Sequence, residues 1–175
     1  MGGAPDVIWL NGAFGVGKTT VAELLVERVA GAILVDPELV GEMLRGLLPE
    51  DCQEDDWQDI PLWRSLTREA IVGLIRDGRR PLVVPMTLVR LDYFDEIVGA
   101  LRRSDVDLRH FALVASEETI LSRLGTRDAQ GNVWARGRVT DCVASLSDPT
   151  FADHIDADAR DAAEIAAEIL GRVAA

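Results

Sequence analysis

The chain has 175 residues, 48% hydrophobic and 27% charged, a composition that suits one globular domain and argues against disordered or fibrous proteins. With 30 acidic and 18 basic side chains its net charge is −12, which repels phosphate backbones and anionic lipid and excludes broad nucleic-acid or membrane-surface binding. There is no long apolar run, no basic leader and no metal or disulfide spacing at Cys52 and Cys142, so a cytoplasmic protein without stable membrane insertion is expected, its oligomeric state open.

In chain order, Val7 to Leu10 is a continuous apolar run, as for a strand buried on both faces of a parallel sheet. A glycine-rich turn leads into a helix over 20–29, stopped by Gly31. A second strand, Ala32 to Val35, ends at Asp36-Pro37, where an N-cap acid and a proline open a helix through Leu47. The acidic, non-periodic stretch from Glu50 to Asp59 reads as an exposed loop. Pro61 begins a long helix closed by Gly78, and Leu82 to Pro85 is the third strand. Asp92 caps a helix through Arg103; Phe111 to Ala115 is the fourth strand, and Ser116 caps a helix to about Arg127. After a loop holding Gly131, a helix over 134–146 is expected, then a short strand near His154-Ile155 and a final helix over 159–173. Both histidines read as structural. Alternation of this kind predicts an α/β fold, and with G-x-x-x-x-G-K-[ST] over Gly12 to Thr19 between the first strand and helix the expectation is a three-layer P-loop NTPase fold, a five-stranded mostly parallel sheet like that of nucleoside kinases, in a single domain over 1–175 with a helical lid near 124–138.

The turn Gly12-Ala13-Phe14-Gly15-Val16-Gly17-Lys18-Thr19 satisfies G-x-x-x-x-G-K-[ST] and lies where that motif works, after a buried strand and at a helix start. A triphosphate is best held by backbone N–H groups converging from a tight loop and a helix N-terminus. Lys18 is the only lysine in the chain; it would reach the β- and γ-phosphates, the Thr19 hydroxyl would coordinate Mg2+, and Thr20 continues the cradle. A single lysine also leaves none for a guanine-reading Asn-Lys-x-Asp motif, so ATP is the expected nucleotide.

Phosphoryl transfer needs a carboxylate that orients or deprotonates the acceptor hydroxyl, and Asp36 stands at a strand's carboxyl end, where such a group belongs. The same residue also suits a simple cap. Thr87, after the third strand, could bond a substrate or merely its own turn; an acid that would support magnesium is missing there. Arg123, Arg127 and Arg136, with Arg138, form the densest basic cluster and suit a lid closing over the γ-phosphate, Arg123 and Arg127 also touching nucleotide; otherwise they are a solvated helix face. Trp57, Trp63 and Arg64 follow Asp36 where an acceptor would be bound, although Trp63 could equally be core.

Several stretches resemble the tunicamycin-resistance protein family, a branch near the small-molecule kinases. They are Ile8 to Thr19, Val35-Asp36-Pro37-Glu38, Asp56-Trp57-Gln58 with Pro61-Leu62-Trp63-Arg64, Val84-Pro85-Met86-Thr87, Ala115 to Thr119, Asp141-Cys142-Val143 and Phe151 to Ile155. The resemblance implies ATP binding, a kinase-like core and resistance to the nucleoside antibiotic tunicamycin by modifying or binding it. The expectation is therefore an ATP-dependent phosphotransferase acting on a hydroxyl of a nucleoside- or sugar-like small molecule such as tunicamycin. The alternatives are a drug-sequestering protein without catalysis and a housekeeping kinase for a small metabolite. Some members of that family continue into a C-terminal tail suited to membrane contact, whereas the sequence here stops at Ala175, so a membrane role is not part of the expectation.

Overall fold

The computed structural model describes residues 4–125 and 129–174. Five strands, β1 (Val7–Gly12), β2 (Ile33–Leu34), β3 (Leu82–Pro85), β4 (Leu108–Val114) and β5 (His154–Asp156), form one sheet in the order β2-β3-β1-β4-β5. Every pairing is parallel, with Trp9 opposite Val84 on one side and His110 on the other. Helices cover both faces because the strands bury both faces. Along β1, Val7 and Trp9 enter one core while Ile8 and Leu10 enter the other, the period of two that a pleated strand imposes.

The smaller core is closed by α1 (Lys18–Arg28) and the last helix, α9 (Ala162–Ala174), through Val21, Leu25, Ile165 and Ile169. The larger is closed on the opposite face by α2 (Glu38–Leu47), α3 (Pro61–Arg76), α4 (Leu91–Phe94), a π-helical turn (Asp95–Gly99) and α5 (Ala100–Arg103). Three further helices, α6 (Glu117–Gly125), α7 (Ala129–Gly137) and α8 (Val139–Leu146), finish that side. Among the described residues no helix is long and apolar enough to cross a membrane.

The α/β fold with a parallel sheet is as expected, but several boundaries move. Strand β4 begins at Leu108, so His110 lies inside it, because Leu108 and His110 alternate inward with Arg109 outward. The final helix starts at Ala162: Ala159 has φ 50°, a conformation no helix accepts, and Asp161 supplies the cap. There the Glu164 amide donates to Asp161 Oδ1 at 2.8 Å while the Asp161 amide donates to Glu164 Oε2 at 3.0 Å, a reciprocal capping box. The expected loop around Gly131 is helical from Ala129, and the helix foreseen over 134–146 is two, broken between Gly137 and Val139. The stretch from Glu50 to Asp59 holds two 3-10 turns, Glu50–Cys52 and Trp57–Asp59, with Asp56 and Gln58 buried rather than exposed.

Candidate active site

Strand β1 runs straight into the glycine-rich loop, and two side chains fix the ends of β1 and β3 together. Buried Asn11 accepts from the Gly12 and Leu88 amides and donates to the Leu88 carbonyl at 2.8 Å. Thr87 donates to the Gly12 carbonyl at 2.8 Å, so it braces the loop across 75 residues instead of closing its own turn. The loop then turns into α1 at Gly17, whose φ of 111° suits glycine alone, with no atom within 4 Å of where a Cβ would stand. That open backbone lies at the N-terminus of an eleven-residue helix with no acid in its first turn. An anion is favoured there by the helix dipole and by the converging amides. Lys18 folds back over the loop, its Nζ 3.0 Å from both the Gly12 and Ala13 carbonyls and 5.7 Å from the Phe14 ring centroid. Amides, an ammonium and the adjacent Thr19 hydroxyl together fit a magnesium-bound polyphosphate.

Among the described residues, two of the cavities against this loop are the larger ones. One, of about 290 Å³, is lined by Gly15, Val16, Gly17, Thr20, Arg123 and Arg160, among others, and lies toward the start of α9. Arg123 lines it while also bracing the loop. Its guanidinium donates to the Val16 and Ala157 carbonyls at 2.9 Å each, tying the loop to the β5–α9 connection.

The other cavity, of about 400 Å³, lies on the far side of Phe14 and is lined by Glu38, Trp57, Met86 and Trp134 as well. Each wall has a local cause. Helix α2 carries Gly41, where a Cβ would come within 2.2 Å of the Trp57 ring, so only glycine lets that indole lie on the helix backbone. The Arg45 guanidinium lies over the same ring at 5.0 Å. From α7, the Trp134 ring meets Phe14 edge-on at 5.0 Å, and Arg138 stacks over Trp134 at 4.7 Å while pairing with buried Asp56 at 3.0 Å. A chain of contacts therefore joins the phosphate loop, α7 and the 50–59 segment.

Of the acceptor residues proposed from sequence, Trp57 lines this cavity, whereas Trp63 and Arg64 are turned away from it. Trp63 is fully buried and donates from its indole to the Pro37 carbonyl at 3.0 Å, which holds the start of α2. Arg64 pairs with Glu96 at 2.6 Å, donates to the Gln58 carbonyl and lies over Tyr93 at 4.0 Å. Burial drew both inward: an arginine with that many partners is structural. Asp36 accepts from the Glu38 amide at 2.9 Å, the capping geometry, and does not line the cavity. Arg136 reaches only the Leu121 carbonyl, at 3.4 Å, and Arg127 lies outside the described residues.

Sequence reasoning passed over Glu38, Trp134 and Asn11 as site residues. Only Glu38 carried a usable signal, standing two residues after the strand-end acid. It keeps contact with solvent, yet desolvation by the cavity walls, with the Asp36 and Glu42 carboxylates, holds it above the ordinary carboxylate range while Lys18 acts the other way.

Parallel sheet, loop and flanking cavities define a P-loop nucleotide-binding protein of kinase-like build. A family profile described as an AAA domain matches residues 7–146, and the chain belongs to that family. In structure it is similar to the Deinococcus radiodurans tunicamycin resistance protein, with TM-score 0.81 and 28% identity over 96% of this chain and 95% of that one. A gluconokinase from Sinorhizobium meliloti 1021 (TM-score 0.69, 24% identity, 97% and 92% covered) shares the fold. So does a shikimate kinase from Bacteroides thetaiotaomicron (0.66, 15%, 98% and 100%). No curated protein matches the chain. The resemblance drawn from the stretches between Ile8 and Ile155 is thus present in the folded structure too.

Proposed function

We propose that the chain is an ATP-dependent phosphotransferase acting on a hydroxyl of a nucleoside- or sugar-like small molecule, a tunicamycin-type compound being the first candidate. The observation that carries this is the shared wall: Phe14 belongs to the phosphate loop and also lines the 400 Å³ cavity, so an acceptor there abuts the phosphate site. Bound ATP with magnesium supplies the transferable γ-phosphoryl group. Lys18 and the loop amides hold the phosphates, and Thr19 is the residue for the metal. The Glu38 carboxylate, which lines the cavity at the start of α2, takes the hydroxyl proton as the acceptor oxygen bonds to phosphorus and ADP departs, while Asp36 caps the helix that presents it. Trp134 and the neighbouring arginines of the 124–138 lid exclude water.

The test is incubation with ATP, magnesium and tunicamycin followed by mass spectrometry, where one added phosphoryl group is expected. Unmodified drug with demonstrated binding favours ATP-dependent sequestration instead. That second reading draws on Met86, which lines the cavity beyond the end of β3, where an acid would support magnesium.

A further inference from the structure

The charge of the acceptor cavity is one-sided. Its titratable lining is three carboxylates, Glu38, Asp55 and Asp56, against one guanidinium, Arg45. Of the cations nearby, Arg138 pairs with Asp56 and Lys18 bonds to the loop carbonyls, while Arg45 lies over Trp57. An acid entering here would lose water beside Glu38 and Asp55, with the Trp57-stacked Arg45 the one guanidinium in the described lining to offset two carboxylates. Glu38 titrates above its ordinary value chiefly because the walls desolvate it, with the Asp36 carboxylate adding to the shift and Lys18 opposing it. The remaining walls, Phe14, Trp57, Met86 and Trp134, are flat and apolar, suited to the C–H face of a sugar or the plane of a base.

Resting on the phosphotransferase reading, we propose that the acceptor is an uncharged polyhydroxylated molecule with a stacking face, and that Glu38 and Asp55 exclude carboxylate- and phosphate-bearing acceptors. Repulsion between like charges in a partly desolvated site acts on specificity more than on affinity for the right ligand. Glu38 and Asp55 are therefore specificity-determining residues, separable from those that hold the nucleotide.

Tryptophan emission reads this cavity directly, because Trp57 and Trp134 line it while Trp9 and Trp63 are fully buried. The full chain, saturated with magnesium and a non-hydrolysable ATP analogue, is titrated with two matched pairs, glucose against gluconate and uridine against uridine 5′-monophosphate. The uncharged member of a pair should bind at least about tenfold more tightly than its anionic partner. In the Glu38→Gln/Asp55→Asn double variant the preference should shrink to about threefold or less, the nucleotide's own charge accounting for the rest. Equal or tighter binding of the acids overturns the proposal, as does a preference that survives the double variant. Absence of saturation by glucose and uridine while calorimetry shows the analogue bound also overturns it. Failure of the analogue to bind removes the phosphotransferase reading itself, and the specificity proposal with it.

Discussion

Lys18 carries more of the nucleotide site than any other side chain, and its contacts show why its loss should be separable from folding. Its Nζ bonds to two loop carbonyls at 3.0 Å, so the ammonium is held over the loop whose amides would receive an anion. A charge-assisted hydrogen bond to phosphate is worth about 1.5–3 kcal/mol, so Lys18→Ala should weaken ATP binding by roughly ten- to a hundredfold, measured by calorimetry. The loop's shape rests on Asn11, Thr87 and Arg123 instead, and the variant's circular dichroism and melting should stay close to wild type. Unchanged ATP affinity would contradict the phosphate assignment. This residue was legible in the sequence because the chemistry of the loop is local: eight consecutive positions specify strand, turn and helix start together. The partners that brace it were not, since Thr87 and Arg123 meet the loop from 75 and 107 residues away.

Among the elements, α7 illustrates tertiary contact overriding propensity. Its first half, with Gly131 and Asn132, is poor in helix formers and reads as a loop before the helix expected from Trp134, yet Trp134 docks on Phe14 and Arg138, just past the helix end, pairs with Asp56. The same pair explains why an acid in an apparently solvated acidic stretch is buried: its counter-charge lies 82 positions later, beyond any local pattern. Asp56 also accepts from the Gln58 amide at 3.1 Å, so without Arg138 it keeps a hydrogen bond but not its neutralising partner. Because Arg138 is itself part-exposed, Arg138→Ala should cost about 1–2 kcal/mol, between the values for exposed and buried pairs. Asp56→Asn should cost less, since the buried charge leaves with it, and denaturant unfolding of both single variants and the double gives the coupling directly. A coupling indistinguishable from zero would mean that the pair does not fasten α7 to the 57–59 turn.

At the scale of the whole molecule, acidification pulls in two directions. Protonating carboxylates relieves the repulsion within a chain of net charge −12, whereas one buried base resists taking a proton. His110, 3% exposed in the middle of β4, packs edge-on against Phe94 at 4.9 Å and near Phe151 at 6.3 Å. Burial pulls its pKa down from 6.5 to about 4, with Arg102 and His154 adding to the shift and the Ala152 backbone opposing it. Between those two values the unfolded chain holds the proton and the folded one does not, so folding stability falls as the pH drops from 6.5 toward 4. The gap corresponds to on the order of 3 kcal/mol, absent at neutral pH and fully expressed below about pH 4. His110→Phe keeps a ring among its aromatic neighbours and removes the titration. Whatever that variant gains or loses at pH 7, its stability relative to wild type should therefore rise by about that amount between pH 7 and pH 4. Urea unfolding of both proteins at several pH values reads the difference, in which the carboxylate contributions cancel, and a difference that stays flat across the range would show that His110 titrates as it does in the unfolded chain.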